Sequence, residues 1–268
     1  MRSLNNSEIT TLQNQGCFSP DWSGIKVSDN FSTGDIHHVR FQGDIKLGNL
    51  GGEIETIGGE KKTSGLFNCQ IKNCEIGNDV LIDNVHQVQN YRISDNVVIE
   101  NVDTISVNGP TSFGNGFEIE ALNEGGGRNL MIFDRLSAQL AYMLVCYRHD
   151  PDLIAAINRM IKNYAGEKTS ETGDIGPGTK IINSGSIYNV NIGEHATIRG
   201  VTLLEDGTIN SNSQAPVFVG DGVIAKHFMI LSGSKVDSGA LIDKSFIGQA
   251  VQAGKQFSAE NCVFFANT

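Results

Sequence analysis

Leucine is scarce in this chain. There are 16 Leu against 28 Ile, alongside 25 Asn and 31 Gly in 268 residues. β-Branched side chains lose rotamer freedom in a helix, so this balance excludes a mainly helical fold. Ile and Val interrupted by Gly and Asn point instead to short strands joined by tight turns, where Gly and Asn tolerate positive φ. The glycines lack a three-residue period and 39% of the residues are hydrophobic, which excludes collagen and disorder.

Positive charge is also in deficit, with 20 basic against 30 acidic residues and a net charge of −10. The field of such a molecule repels phosphate, so no nucleic-acid or membrane partner is expected. No run reaches the ~18 apolar residues of a membrane span. The most apolar stretch, Leu136 to Val145, is interrupted by Ser137 and Gln139. Met1 to Gln15 is polar and lacks the apolar core of a signal peptide, so a cytoplasmic location is predicted. The five cysteines, Cys17, Cys69, Cys74, Cys146 and Cys262, form no C-x-x-C pair. They read as reduced core thiols, and no metal site is predicted.

What the chain does have is a six-residue beat. Ile76, Ile82, Val88, Ile93, Ile99 and Ile105 are spaced 6, 6, 5, 6 and 6 apart, and Ile175, Ile181, Ile187, Ile192, Ile198 and Leu204 repeat the same spacing. The segments between them read Ile76-Gly-Asn-Asp-Val, Ile175-Gly-Pro-Gly-Thr, Ile192-Gly-Glu-His-Ala and Val219-Gly-Asp-Gly-Val. A fixed internal period of this kind marks a solenoid.

On these residues the chain resembles the hexapeptide-repeat superfamily, over roughly residues 66–120 and 173–265. The resemblance implies a mainly β fold, a left-handed parallel β-helix with about 18 residues per coil. Each lead aliphatic points inward, and Gly or Asn sits near each corner. The superfamily's left-handed crossover is an exception to the usual right-handed rule. Residues 20–65 read as irregular early coils with a hairpin-like excursion near Gly58-Gly59. Residues 1–18 read as a short helix capped by Ser7.

The beat stops at Gly125-Gly126-Gly127. A helical period follows from about Asn129 to Tyr147, and a second helix, capped by Asp150-Pro151, runs to about Tyr164, with Gly166 ending it. The chain therefore divides into an N-terminal helix with first coils (1–127), a helical hairpin insertion (128–166) and a second set of coils (173–268) continuous with the first. The rhythm holds to Phe264-Phe265-Ala266-Asn267-Thr268 with no capping helix, so the sequence predicts a polypeptide that continues, or an end covered by another subunit. The split coils, the hairpin and this ending also resemble a Bacteroidetes family of longer hexapeptide-repeat proteins, of which the chain would be an N-terminal portion.

The resemblance implies an acyltransferase that uses acetyl-CoA or another acyl-CoA. The acceptor would be a sugar or sugar-nucleotide, and the assembly a homo-oligomer, trimer or dimer. In such enzymes a His removes a proton from the acceptor, since an imidazole titrates near operating pH. His227 is the first candidate base and His195 the second; each also has an ordinary reading as a surface or structurally bonded side chain. Gly126, Gly127 and Arg128, before the expected helix, are anion-binding candidates. The Arg residues of the hairpin, Arg128, Arg135, Arg148 and Arg159, are a local excess that could hold a phosphate or carboxylate. A zinc-dependent carbonic anhydrase would need three gathered His ligands, and His86, His195 and His227 lack that spacing. The alternative function is a non-catalytic assembly module. Far-ultraviolet circular dichroism should be dominated by strand; a helix-dominated spectrum would reject this reading.

Overall fold

The computed structural model describes residues 1–122 and 125–266, so Asn267 and Thr268, expected to hold the rhythm, lie outside the described residues. The fold is mainly β and its principal sheet is parallel. Ile76 pairs in register with Ile93, Ile82 with Ile99 and Val88 with Ile105, each 17 residues apart. The second run repeats this offset: Ile175 faces Ile192, Ile181 faces Ile198 and Ile187 faces Leu204. Each circuit of the chain thus presents three inward aliphatics, which meet in one continuous buried core. Fixed-offset pairing places every residue on its own counterpart in the next circuit, and that is why the beat must be kept.

The corners explain the asparagines. Among the described residues, nine of the 21 non-glycine positions with left-handed φ are Asn. Asn tolerates this region because its short amide bonds locally. Asn84, Asn101 and Asn183 stack at one corner, with Asn84 Nδ2 donating to Asn101 Oδ1 at 2.8 Å and Asn101 Nδ2 to Asn183 Oδ1 at 3.1 Å. A second corner carries Asn73, Asn90, Asn189, Asp206, His227, Lys244 and Asn261.

Three excursions leave this frame. The strands Glu53–Glu55 and Lys61–Thr63 form the hairpin around Gly58-Gly59. It lays Ile54 over Leu81 and Val98 on the outer wall, and Lys62 reaches Glu100 at 2.7 Å. A four-residue lengthening near 212–215 makes Ile209 face Ile230, an offset of 21. The largest excursion, residues 107–172, is an arm. Pairing passes straight across it, since Ile105 faces Ile187 and Ile93 faces Ile175.

The arm differs from its expectation. It begins about twenty residues before 128, because the strand Phe117–Ile119 pairs antiparallel with Leu130–Ile132. The helix expected from Asn129 therefore starts only at Ala138, where the Ser137 side chain accepts the Leu140 N–H. We label the helices α1 (Asn6–Asn14), α2 (Ala138–Cys146) and α3 (Pro151–Lys168). Asp150 and Pro151 start α3 as the sequence implies, but the helix continues past Gly166 to Lys168. α1 is capped by Asn5 rather than Ser7, in a reciprocal pair with Glu8, and Leu12 closes the first end of the core. The regular stack also starts earlier than residue 66, with Ile25–Val27 paired to Ile36–Leu47.

Asn101→Ala should lower stability by about 1–2 kcal/mol, since alanine is strained at left-handed φ and the corner bonds are lost. Asn101→Gly should cost less, because only the bonds go. Chemical-denaturation midpoints check the order; equal losses would show that the left-handed corner contributes nothing.

Candidate functional site

The outer wall carries a signal that the repeat does not require. Strand side chains alternate between core and exterior, so the exterior position should be polar. In Phe228-Met229-Ile230-Leu231 it is not. Phe228 and Ile230 enter the main core, whereas Met229 and Leu231 turn outward and, with Phe246, join the arm's own core of Ile132, Phe133, Leu144 and Ile161. An apolar pair on both faces marks a covered wall, and this run could have located the arm's seat from sequence.

His227 lies in that seat. It occupies a left-handed corner (φ 48), with Asp206 at the same corner one circuit earlier. Its Nδ1 is 3.3 Å from Asp243 Oδ1 and its Nε2 is 3.8 Å from Asp206 Oδ2, so both ring nitrogens face carboxylates. The arm covers its ring, which stacks on Phe117 with centroids 4.4 Å apart. Beside it Lys226 pairs with Glu205 at 3.1 Å. A carboxylate-oriented imidazole is a sound proton acceptor, but here the ring also fastens the arm to the body.

His195 occupies another left-handed corner (φ 54) and is exposed. Its ring lies over Gly178, where a Cβ would come within 2.6 Å of His195 Nδ1; Gly178 is itself at φ +68. The two candidate histidines therefore belong to different corners and are not brought together. His38 repeats the arrangement over Gly16. Histidine, like Asn and Asp, is enriched at positive φ, so the same backbone geometry accounts for His195 and His227.

Gly126 and Gly127 have φ of +75 and +76, and Gly127 is followed by Arg128, Asn129 and the strand Leu130–Ile132. No helix starts there, so the anion site expected at a helix N-terminus is not formed by these residues. The arginine that shares a cavity with Gly127 is Arg148. That cavity, of about 210 Å³, is lined by Glu118, Gly127, Asn129, Met131, Arg148 and Asn158. A larger one, of about 450 Å³, lies between α2 and the last strands and is walled by apolar groups including Leu130, Ala141, Tyr142, Val263 and Phe265. Sequence reasoning missed both, because residues on separate elements meet only when the arm folds. His195 and His227 line neither.

Among the described residues no three His, Cys, Asp or Glu side chains are grouped to hold a metal ion, and no helix is long and apolar enough to cross a membrane. The interior thiols are poor nucleophiles. Burial pushes Cys17 and Cys69 up and Cys74 up to about 11, so each stays a thiol near neutrality. The Tyr91 hydroxyl, also pushed up by burial, donates to the Val190 carbonyl at 2.8 Å inside the stack.

The family model described as "Domain of unknown function (DUF4954)" matches residues 1–268. A protein of Treponema pallidum (strain Nichols), described as "Uncharacterized protein", is 23% identical over 246 residues, covering 88% of this chain and 34% of the relative. The chain spans about a third of the length of the curated relative it matches. The match along the whole chain corrects the resemblance drawn from the six-residue beat: the family is this one, and neither the hexapeptide-repeat transferases nor their longer Bacteroidetes relatives. The beat is a packing rule that any stack of short parallel strands must satisfy, so it identifies an architecture more readily than a lineage.

Iodoacetamide applied to the native protein at pH 8 should modify the exposed Cys146 and the half-buried Cys262, leaving Cys17, Cys69 and Cys74 intact until denaturation. Peptide mass spectrometry reads this directly; comparable native labelling of Cys69 would contradict the packing.

Proposed function

Since the chain belongs to the DUF4954 family, whose description names no activity, we propose from the geometry that it is a non-catalytic assembly module, a stack that displays its arm on one outer wall. The observation that carries this reading is the fate of the two candidate bases: both stand at left-handed corners, and His227 is held by Phe117 and two aspartates. We also propose that the circuits wind as a left-handed parallel β-helix. Circuits of 17 residues with left-handed corners and short sides support that hand. Unbridged, buried Cys17, Cys69 and Cys74 support a reducing, cytoplasmic setting. Exposed Tyr142, Tyr147 and Met160 on the arm support contact with a second copy in a homo-oligomer.

One observation favours a second reading. The Asp243–His227 pair is the arrangement by which a carboxylate orients a general base, so acyl transfer from acetyl-CoA to a sugar or sugar-nucleotide would use His227 once Phe117 moved away. Thermal shift separates the two. The assembly reading expects no change in Tm with acetyl-CoA or nucleotide sugars. A ligand at a hundred times its Kd adds ~2.7 kcal/mol, or about 5 °C or more for a chain of this size. Such a shift, abolished in His227→Ala, would overturn the assembly reading in favour of transfer.

A further inference from the structure

We infer that the arm holds a small neutral molecule through a carboxamide or lactam edge, in the cavity between its strand pair and α3. This cavity is separate from the stack and from both histidines. Its walls come from three places: Glu118, Asn129 and Met131 from the strand pair and its approach, Arg148 from the turn after α2, and Asn158 from α3, with Gly127 at the rim.

Two polar atoms in these walls are buried without partners. They are the Nε of Arg148, which is a donor, and the Oδ1 of Asn158, which is an acceptor. Burying an unsatisfied polar group costs on the order of 1–3 kcal/mol, so a pair lining one cavity calls for a partner. The two do not bond to each other. The rest of the wall is already committed: an Arg148 terminal nitrogen donates to the Asn129 carbonyl, and the Asn129 side-chain amide donates to Glu118 Oε1.

The missing partner must accept from Arg148 Nε and donate to Asn158 Oδ1. A carboxamide or lactam presents a C=O and an N–H on one edge and does both. Charge argues the same way. The Glu118 carboxylate lines the cavity beside the Arg148 guanidinium, so the site is balanced and an anion would meet a carboxylate. At about 210 Å³ the space is several times the ~30 Å³ share of one water, and Met131 offers an apolar surface for a small ring.

Saturation-transfer NMR on the full chain tests this, with nicotinamide and acetamide as probes and nicotinate and acetate as their acid controls. Transfer from the amides and none from the acids is the expected result. Asn158→Leu, which removes the acceptor at a helical position that favours Leu, should weaken nicotinamide binding about tenfold or more, as loss of a buried hydrogen bond implies. Nicotinamide should also move the Arg148 Nε–H resonance of the unsubstituted protein, a readout independent of the variant's folding. Transfer from neither amide would mean ordered water only and would overturn the proposal. Equal transfer from the acids, or unchanged binding in Asn158→Leu with a still Arg148 resonance, would overturn it too.

Discussion

The whole molecule depends on one constraint, the parallel pairing of each residue with its counterpart a fixed distance along the chain. Because Ile82 faces Ile99 and Ile181 faces Ile198, like must stack on like. Aliphatics then form continuous inner columns, and polar side chains form outer ones. The corners turn sharply enough to demand left-handed φ, and the amides stacked there bond from circuit to circuit. Glycine beneath a corner ring, as with Gly178 under His195, follows from the same stacking.

The corner is also where the frame tolerates interruption. The chain leaves after Ser106, at the column occupied one circuit earlier by Asn90, and Ile187 still pairs with Ile105 when it returns. No ladder hydrogen bond is broken, so an arm with its own strand pair and two helices costs the stack little. The arm is held by burial: Met229, Leu231 and Phe246 extend its core onto the wall, and Glu120 N–H donates to Asn261 Oδ1 near the last strands. The hairpin at 53–63 follows the same rule on a smaller scale, with Ile54 over Leu81 and Val98.

This division of labour locates the chemistry. A residue that the stack requires has its backbone angle, its neighbours and its exposure set by the repeat. His195 and His227 are such residues, and their prominence in the sequence reflects corner geometry. Arg148 and Asn158 belong to the arm, whose contacts no period dictates, and they are the ones left with buried, unanswered hydrogen-bonding atoms. The free energy of the stack makes the platform rigid, while binding specificity resides in the part that departs from it.

The sequence by itself determined the strand content, the inward aliphatics, the corner asparagines and the start of α3 at Asp150-Pro151. Each of these is local or periodic: it depends on side-chain shape, on φ, or on a residue meeting its own counterpart. Only the tertiary structure decided that residues 117–132 pair as strands, that Phe117 covers His227, and that Gly127 meets Arg148 rather than opening a helix beside Arg128. Those contacts join segments with no repeat relation, so no spacing encodes them. They follow from how the arm buries its apolar face against the wall, visible in sequence only as the unbroken run Phe228-Met229-Ile230-Leu231.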